Sequence, residues 1–127
     1  MHLPHYGYDD DTYQLALDAL THSCRGRGPS AKNRLHLIGM DANAVVGPLE
    51  QINDMDHDFA LQDREHVGPW GVGRRCRRGV VLLETAHANG LAFANTFHYP
   101  GSNDGCTHVQ WSSKSRSQID FLLLPAT

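Results

Sequence analysis

The segment LHLIGMDANAVVG, residues 35–47, carries the clearest structural signal in this sequence of 127 residues. Its apolar beginning, Leu35 to Ile38, is typical of a buried strand, and Gly39 predicts where that strand stops. Asp41 and Asn43 follow at alternate positions, so an extended backbone would point both side chains the same way. Open α/β sheets place ligands at the carboxyl ends of their strands. The segment therefore predicts a strand that delivers a carboxylate and an amide to a candidate site.

Amphipathic helices are predicted before and after this segment. The first runs from about Asp10 to Ser23 and begins in a run of aspartates, which favours a helix start. The second runs from about Arg77 to Asn89, and Gly90 follows it as a left-handed cap. The residues that define the two faces are Tyr13, Leu17, Leu20 and Cys24 in the first helix and Val80, Leu83 and His87 in the second.

Further strands are predicted at Leu91–Phe97, Thr107–Trp111 and Ser117–Leu124. The opening residues 2–7 are interpreted as the end of a strand that turns into a loop. Residues 41–70 show no sustained period and are predicted to form a long loop. This order of elements predicts an α/β fold, with helices covering a mixed or antiparallel sheet.

Composition restricts the class of protein. With 40% hydrophobic and 20% charged residues, the chain resembles one globular domain rather than a disordered segment. Its net charge of −3 gives no overall attraction to nucleic acid, so such binding requires a local basic patch. The three cysteines form neither a zinc pair nor a disulfide framework, and no stretch is long and apolar enough for a membrane span. We therefore expect a soluble protein that is intracellular or nuclear.

Three polar side chains that border apolar strands are candidates for chemistry. Asp41 and Asn43 could share a metal ion, or a phosphate and its attacking water, although Asp and Asn also form ordinary turns. Asp120 interrupts an apolar strand, which is costly unless the carboxylate is hydrogen-bonded, paired or at the mouth of a site. It could equally be an edge-strand charge that discourages aggregation. The residues alone leave both alternatives open.

A basic run lies just before the second predicted helix and consists of Arg74, Arg75, Arg77 and Arg78. Such a run can hold DNA phosphates through contacts that do not depend on base sequence. The alternative is a solvated surface balanced by the acidic stretch from Glu50 to Glu65. We favour contact with DNA.

Several short motifs occur in a specific order. GMDANAVVG is followed by GPWGVGRRCRRGVVLLETAHANG, by NGL and NTF, and finally by SRSQIDFLLL. This string resembles the endonuclease/exonuclease/phosphatase superfamily, and within it the nuclease domains of non-LTR retrotransposons and of derived proteins of the craniofacial-development type. The resemblance covers nearly the whole chain. Each motif alone is weak, whereas five in the correct order at plausible spacing are specific.

The resemblance implies a fold and a reaction. The fold would be part of a two-sheet α/β sandwich of the pancreatic-deoxyribonuclease type, with helices outside. The reaction would be hydrolysis of DNA phosphodiesters with Mg²⁺ or Mn²⁺, and the full-length protein could be fused to a reverse transcriptase. By position, Asp41 would orient or deprotonate the attacking water, Asn43 would assist at the phosphate, and both would contact the metal. Asp120 would hold and polarise a catalytic histidine. The implied substrate-binding residues are His2, His5, Arg74, Arg75, Thr107 and Trp111.

The chain departs from the family pattern in three ways. Relatives carry an Asn and a metal-binding Glu on early strands, and a terminal Ser-Asp-His after the Ile-Asp strand; this sequence contains neither. His2 and His5 stand where relatives have the Tyr and Asn of a Tyr-x-Pro-Asn element. We therefore expect residues 1–127 to be the C-terminal portion of one such domain, with low or no activity as an isolated chain. The competing hypotheses are a non-catalytic remnant or nucleic-acid-binding module, and a phosphoesterase of the same fold acting on a small phosphoester.

Overall fold

The computed structural model describes residues 1–5, 7–25, 37–48, 64–101 and 105–126. At its centre is a three-stranded antiparallel sheet. The strands β1 (Ile38–Asp41) and β2 (Leu91–Phe93) both pair with β5 (Asp120–Pro125), which lies between them. Two α-helices accompany the sheet, so the structure confirms the general α/β class predicted from the sequence.

The two faces of this sheet differ in burial. Met40 pairs with Phe121 on the face that lines the core, where both side chains are buried. Gly39 pairs with Leu122 on the opposite face, where Leu122 is 40% exposed. The alternation follows from the period of two in strands, which commits successive side chains to opposite faces. The prediction that β1 stops at Gly39 is wrong, because the strand continues to Asp41. Gly39 is an ordinary strand residue, and a Cβ atom built there would meet no other atom within 4 Å.

The helix α1 (Asp10–Arg25) confirms the first predicted helix. Asp9 precedes it, and its Oδ1 accepts a hydrogen bond of 2.8 Å from the backbone N–H of Thr12, as an N-terminal cap does. The predicted face is also confirmed: Tyr13, Leu17 and Leu20 are buried in the core. The Tyr13 hydroxyl reaches across the core to donate to the carbonyl of Ala42 at 2.9 Å, which links the helix to the end of β1.

The helix α2 (Arg77–Ala88) confirms the second predicted helix, but not its predicted face. Val80 is only half-buried and His87 is exposed. The residues that α2 buries are Arg78, Gly79, Leu82, Leu83 and Ala86. Gly79 helps to explain why this face of α2, and not the predicted one, is turned toward the core. A Cβ atom there would lie 1.9 Å from the carbonyl oxygen of Val45, so the glycine lets α2 approach the segment after β1 closely.

The ends of α2 are held by two residues in different ways. Cys76 caps the N-terminus, where its Sγ accepts hydrogen bonds from the N–H groups of Gly79 at 3.4 Å and Val45 at 3.3 Å. At the other end, Gly90 has a φ of +63°, which confirms the predicted left-handed cap. The Asn89 amide also donates to Thr21 Oγ1 at 3.1 Å and so joins the two helices.

The strand predicted at Leu91–Phe97 is wrong beyond Phe93. A short 3₁₀ helix, Ala94–Thr96, follows β2 directly. The Thr96 hydroxyl donates to the Phe93 carbonyl at 2.6 Å, and it accepts from the N–H of Gly68 at 2.8 Å. These bonds of a buried side chain turn the backbone out of the sheet.

The last two predicted strands are shorter than expected and differently divided. β3 (His108–Val109) and β4 (Arg116–Ser117) form an antiparallel hairpin of their own. The continuous strand predicted at Ser117–Leu124 is interrupted, because the N–H of buried Gln118 donates to the Val72 carbonyl instead of to a strand partner. After this break the chain enters β5.

The first residues of the chain run alongside β1. His2 forms a parallel bridge with Asp41, flanked by 2.8 Å hydrogen bonds from Leu3 N–H to the Asp41 carbonyl and from Asp41 N–H to the Met1 carbonyl. This confirms the extended conformation predicted for the start of the chain. Of the predicted loop 41–70, residues 42–48 and 64–70 contain neither helix nor strand, and residues 49–63 lie outside the described part.

Candidate functional site

Asp41 and Asp120 lie opposite each other across β1 and β5. Their backbone groups do not bond to one another: Asp41 bonds to residues 1–3, while the next ladder bond joins Ala42 N–H to the Ile119 carbonyl at 2.7 Å. The pair is thus a non-hydrogen-bonded one, the type in which side chains come closest, with Cα atoms typically about 4.5 Å apart. Like charges directly opposite destabilise a sheet. A cation bound between the two aspartates at this strand end would offset such a repulsion.

Asn43 and His2 surround the Asp41 carboxylate. The Asn43 N–H donates to Asp41 Oδ1 at 3.2 Å, and the His2 Nδ1 lies 3.1 Å from Asp41 Oδ2. The Asn43 amide nitrogen donates to the Leu3 carbonyl at 2.7 Å, which orients the side-chain oxygen as the remaining polar atom. Asn43 has a φ of +46°, a left-handed conformation that Asn tolerates better than most residues. The structure thus brings His2 to the Asp41 and Asn43 pair that the sequence had already selected.

Thr107 and Asn95 hold the backbone of Asp120. Thr107 Oγ1 accepts from the N–H groups of Ile119 at 3.0 Å and Asp120 at 3.2 Å. On the same strand, the Asn95 amide donates to the Asp120 carbonyl at 3.0 Å, and its Oδ1 accepts from Leu122 N–H at 3.1 Å. Asn95 therefore takes the place of a strand partner beyond the end of β2. Sequence reasoning did not select Asn95 as a site residue, although it stands first in the NTF motif.

The donor atoms suit a hard divalent cation in their chemistry. Mg²⁺ and Mn²⁺ prefer carboxylate and amide oxygens, which Asp41, Asp120 and Asn43 supply. Within the described ranges, no three His, Cys, Asp or Glu side chains gather as a ready set of metal ligands. Mg²⁺ usually keeps several water ligands and takes only one or two carboxylates from the protein. The opposed aspartates fit that smaller donor set.

The four arginines of the basic run occupy different environments. Arg78 is buried, and its guanidinium donates to the carbonyls of Pro4, His5 and Tyr8, so it is not available to DNA. Arg75 is half-buried, and its Nε donates to the Val46 carbonyl. Arg74 and Arg77 are exposed, and Arg77 lies 3.7 Å from the Asp10 carboxylate. Arg78 therefore has a structural role and Arg75 is held by a backbone carbonyl, whereas Arg74 and Arg77 lie at the surface.

Trp111 and His5 have contacts of contrasting kinds. Trp111, in the turn of the β3–β4 hairpin, is 87% exposed, and the Lys114 ammonium lies 4.1 Å from its ring centroid. An exposed indole next to a cation can stack on a base while the cation contacts a phosphate.

His5 is exposed, and its Nδ1 accepts a hydrogen bond from Gly7 N–H at 2.9 Å while its ring contacts Tyr8. Its side-chain contacts are thus within its own loop.

A pair of aromatic residues missing from the sequence-based selection lies beyond β2. The rings of Trp70 and Tyr99 meet edge to face, with centroids 4.9 Å apart, and they are 42% and 68% exposed. Trp70 N–H donates to the Thr96 carbonyl at 2.9 Å, which joins the loops that carry the two rings. The sequence signal that could have found them is an aromatic residue beside Pro in each loop, Pro69-Trp70 and Tyr99-Pro100.

Comparison of the chain with protein-family models, with curated proteins and with solved structures found no match. Across the described residues, no helix is long and apolar enough to cross a membrane. Functional assignment consequently depends on the residues and geometry of this chain.

Proposed function

We propose that this chain belongs to a metal-dependent phosphodiesterase domain that acts on DNA, of the retrotransposon endonuclease type. The observation that carries the proposal is the opposition of Asp41 and Asp120 in a non-hydrogen-bonded strand pair. Like charges directly opposite each other destabilise a sheet, and a bound cation would offset that repulsion. The order of the sequence motifs supports the same reaction class and substrate.

The residues of the site have distinct roles in this proposal. Asp41 orients the attacking water and accepts its proton, because its carboxylate is half-exposed at the strand end and hydrogen-bonded on one oxygen by Asn43 N–H. The Asn43 side chain is held by the bond from its amide nitrogen to the Leu3 carbonyl, which leaves its Oδ1 as the atom that could contact a metal ion. Asp41, Asn43 and Asp120 would hold Mg²⁺ or Mn²⁺. For Asp120 this replaces the histidine-polarising role that the resemblance implies, because Asp120 lies opposite Asp41 in the sheet. When bound, such an ion neutralises charge that develops on the phosphate.

The surroundings of the carboxylate pair supply positioning rather than chemistry. Asp120 cannot shift along its strand without breaking the bonds that Thr107 and Asn95 make to its backbone. His2, 69% exposed at its side chain and in contact with Asp41, can donate a ring N–H to a phosphate oxygen. Arg74 and Trp111, both exposed, would contact the DNA away from the scissile bond.

Metal binding is the first test of this proposal. Mn²⁺ should raise the melting temperature of the chain, because a ligand that binds only the folded state stabilises it by mass action. Asp41→Asn and Asp120→Asn should each remove most of that shift, while Asp18→Asn, on helix α1, should retain it. An Mn²⁺ response that survives both substitutions at the site would refute the proposed metal position.

Nicking of supercoiled plasmid DNA in Mg²⁺ tests the reaction itself. We expect nicking by this chain to disappear in Asp41→Asn. Nicking that Asp41→Asn leaves at the wild-type rate would exclude Asp41 from the reaction.

A nucleic-acid-binding module without catalysis is the second candidate function. It is favoured by the exposed Trp111 and its Lys114 partner, which need no metal to hold a nucleic acid. Binding of DNA in EDTA, together with no Mn²⁺ response and no nicking, would support this function over the first.

A further inference from the structure

The Trp70–Tyr99 pair lies at the same end of the sheet as the two opposed aspartates. β2 is antiparallel to β5, so the chain leaves β2 at the end where β5 begins. Asn95, just after β2, bonds to the Asp120 backbone, and Trp70 N–H bonds to the carbonyl of the next residue, Thr96. In this short turn, Asn95 therefore contacts β5 at Asp120, and the neighbouring Thr96 contacts the backbone of Trp70.

The loop that carries Trp70 is held firmly in place. Gly68 N–H donates to the buried Thr96 hydroxyl at 2.8 Å. A Cβ atom at Gly68 would lie 2.4 Å from the Thr96 carbonyl oxygen, so the two backbones are in close contact there. An indole presented by such a fixed loop loses little conformational entropy when a ligand stacks on it.

The exposed aromatic surface is larger than one ring pair. Phe97, between Thr96 and the Tyr99 loop, is 37% exposed. In an edge-to-face pair the edge of one ring covers part of a face of the other, and Trp70 and Tyr99 remain 42% and 68% exposed in this arrangement. A planar ligand can stack on the exposed part of an aromatic ring.

The charge of the loops around these rings indicates an anionic ligand. Residues 64–76 and 94–117 contain two acidic side chains, Glu65 and Asp104. The same segments contain five cationic side chains: Arg64, Arg74, Arg75, Lys114 and Arg116. Exposed aromatic rings in loops that carry more cationic than acidic side chains are a combination by which proteins hold single-stranded nucleic acid.

We propose that Trp70 and Tyr99 form a stacking site for unpaired bases of single-stranded DNA. This inference rests on the proposed function for the identity of the ligand as DNA. Duplex bases stack on each other and present only their edges, so they cannot reach these ring faces. The site would therefore select substrates with an unpaired segment next to the phosphodiester that the aspartates face.

Fluorescence provides a direct readout, since the chain has only two tryptophans. In the Trp111→Phe background, Trp70 is the sole indole, and short oligo(dT) added in EDTA should quench its emission. In that background, Tyr99→Ala should weaken binding roughly 5- to 150-fold, the range measured for loss of one aromatic–base stack. Tyr99→Phe keeps the ring and should bind within about twofold of its parent, as should Leu15→Ala, which removes an exposed apolar side chain from helix α1.

Three outcomes would overturn the inference. They are unchanged affinity in Tyr99→Ala, equal affinity for a blunt duplex of the same length, and burial of Trp70 through self-association without any oligonucleotide. The failures of the two proposals are distinguishable. Oligo(dT) binding that needs Tyr99, without Mn²⁺ response or nicking, supports the stacking site and removes the phosphodiesterase. Nicking that depends on Asp41, with oligo(dT) affinity independent of Tyr99, supports the phosphodiesterase and removes the stacking site.

Discussion

Arg78 and Asp10 connect the two helices through a nearly buried guanidinium. The Arg78 Nε lies 3.2 Å from Asp10 Oδ1, and the Arg78 side chain is 6% exposed whereas that of Asp10 is 58% exposed. The same guanidinium donates to the Pro4 and His5 carbonyls at 3.1 and 2.8 Å, and lies 4.9 Å from the Tyr13 ring centroid. One arginine thus links the residues before α1 to helix α2. These residues directly follow His2, which forms the bridge with Asp41 at the candidate site.

Replacement of Arg78 should therefore destabilise the protein. Arg78→Met keeps much of the length of the side chain but removes the donor to the carbonyls of Pro4, His5 and Tyr8, at a cost of about 1–3 kcal/mol in the free energy of unfolding. Arg77→Met is the matched control, since the Arg77 side chain is 89% exposed, and it should change stability by less than about 0.5 kcal/mol. Urea denaturation of both variants measures the difference. Equal midpoints would show that Arg78 has no special structural role.

The close packing of α2 against the segment after β1 makes a second prediction. Gly79→Ala gains helix propensity of about 1 kcal/mol, but its methyl group would collide with the Val45 carbonyl. The collision involves backbone rather than a flexible side chain, so we expect a net loss of about 1–3 kcal/mol.

Gly39→Ala provides the control for this effect. A Cβ atom at Gly39 meets nothing within 4 Å, so this substitution should be nearly neutral. Thermal unfolding followed by circular dichroism compares the two variants. A Gly79→Ala protein as stable as Gly39→Ala would contradict the packing of α2 described above.

The opposed aspartates predict a conflict between stability and metal binding. In EDTA, Asp120→Asn should be more stable than the wild type by about 0.2–1 kcal/mol, because it removes one of two like charges that face each other across the strands. With Mn²⁺ the order should reverse, since the wild type alone retains both carboxylates. Melting curves of both proteins with and without Mn²⁺ test this reversal. A loss of stability in EDTA would show that the two carboxylates do not repel each other.

The cap of helix α1 predicts a dependence of stability on pH. The hydrogen bonds from Thr12 lower the pKa of Asp9 below its usual 3.8. A lowered folded-state pKa means that the charged cap stabilises the protein above the unfolded pKa. This stabilisation is lost as the pH falls through the folded value. Asp9→Asn still caps the helix without titrating, so its urea midpoint should fall less than that of the wild type on acidification below about pH 4. Parallel acid titrations of the two proteins would contradict the role of Asp9.

Local patterns in the sequence were sufficient for the helices. The spacing of Tyr13, Leu17 and Leu20, and the aspartates before them, predicted α1 and its buried face correctly. The extent of α2 and the left-handed Gly90 were also predicted, because capping and helical periodicity depend on residues within one or two turns. These interactions are short-range, so a window of sequence contains all their partners.

The tertiary structure decided which strands pair and which polar residues meet. Neither Asp41 nor Asp120 carries a sign of the other in its own segment, and only the register of β1 against β5 places them opposite each other. The burial of Arg78, the break of the chain at Gln118 and the substitution of Asn95 for a strand partner likewise depend on distant backbone groups. Register is set by which face of the sheet enters the core, a choice made by the folded chain as a whole.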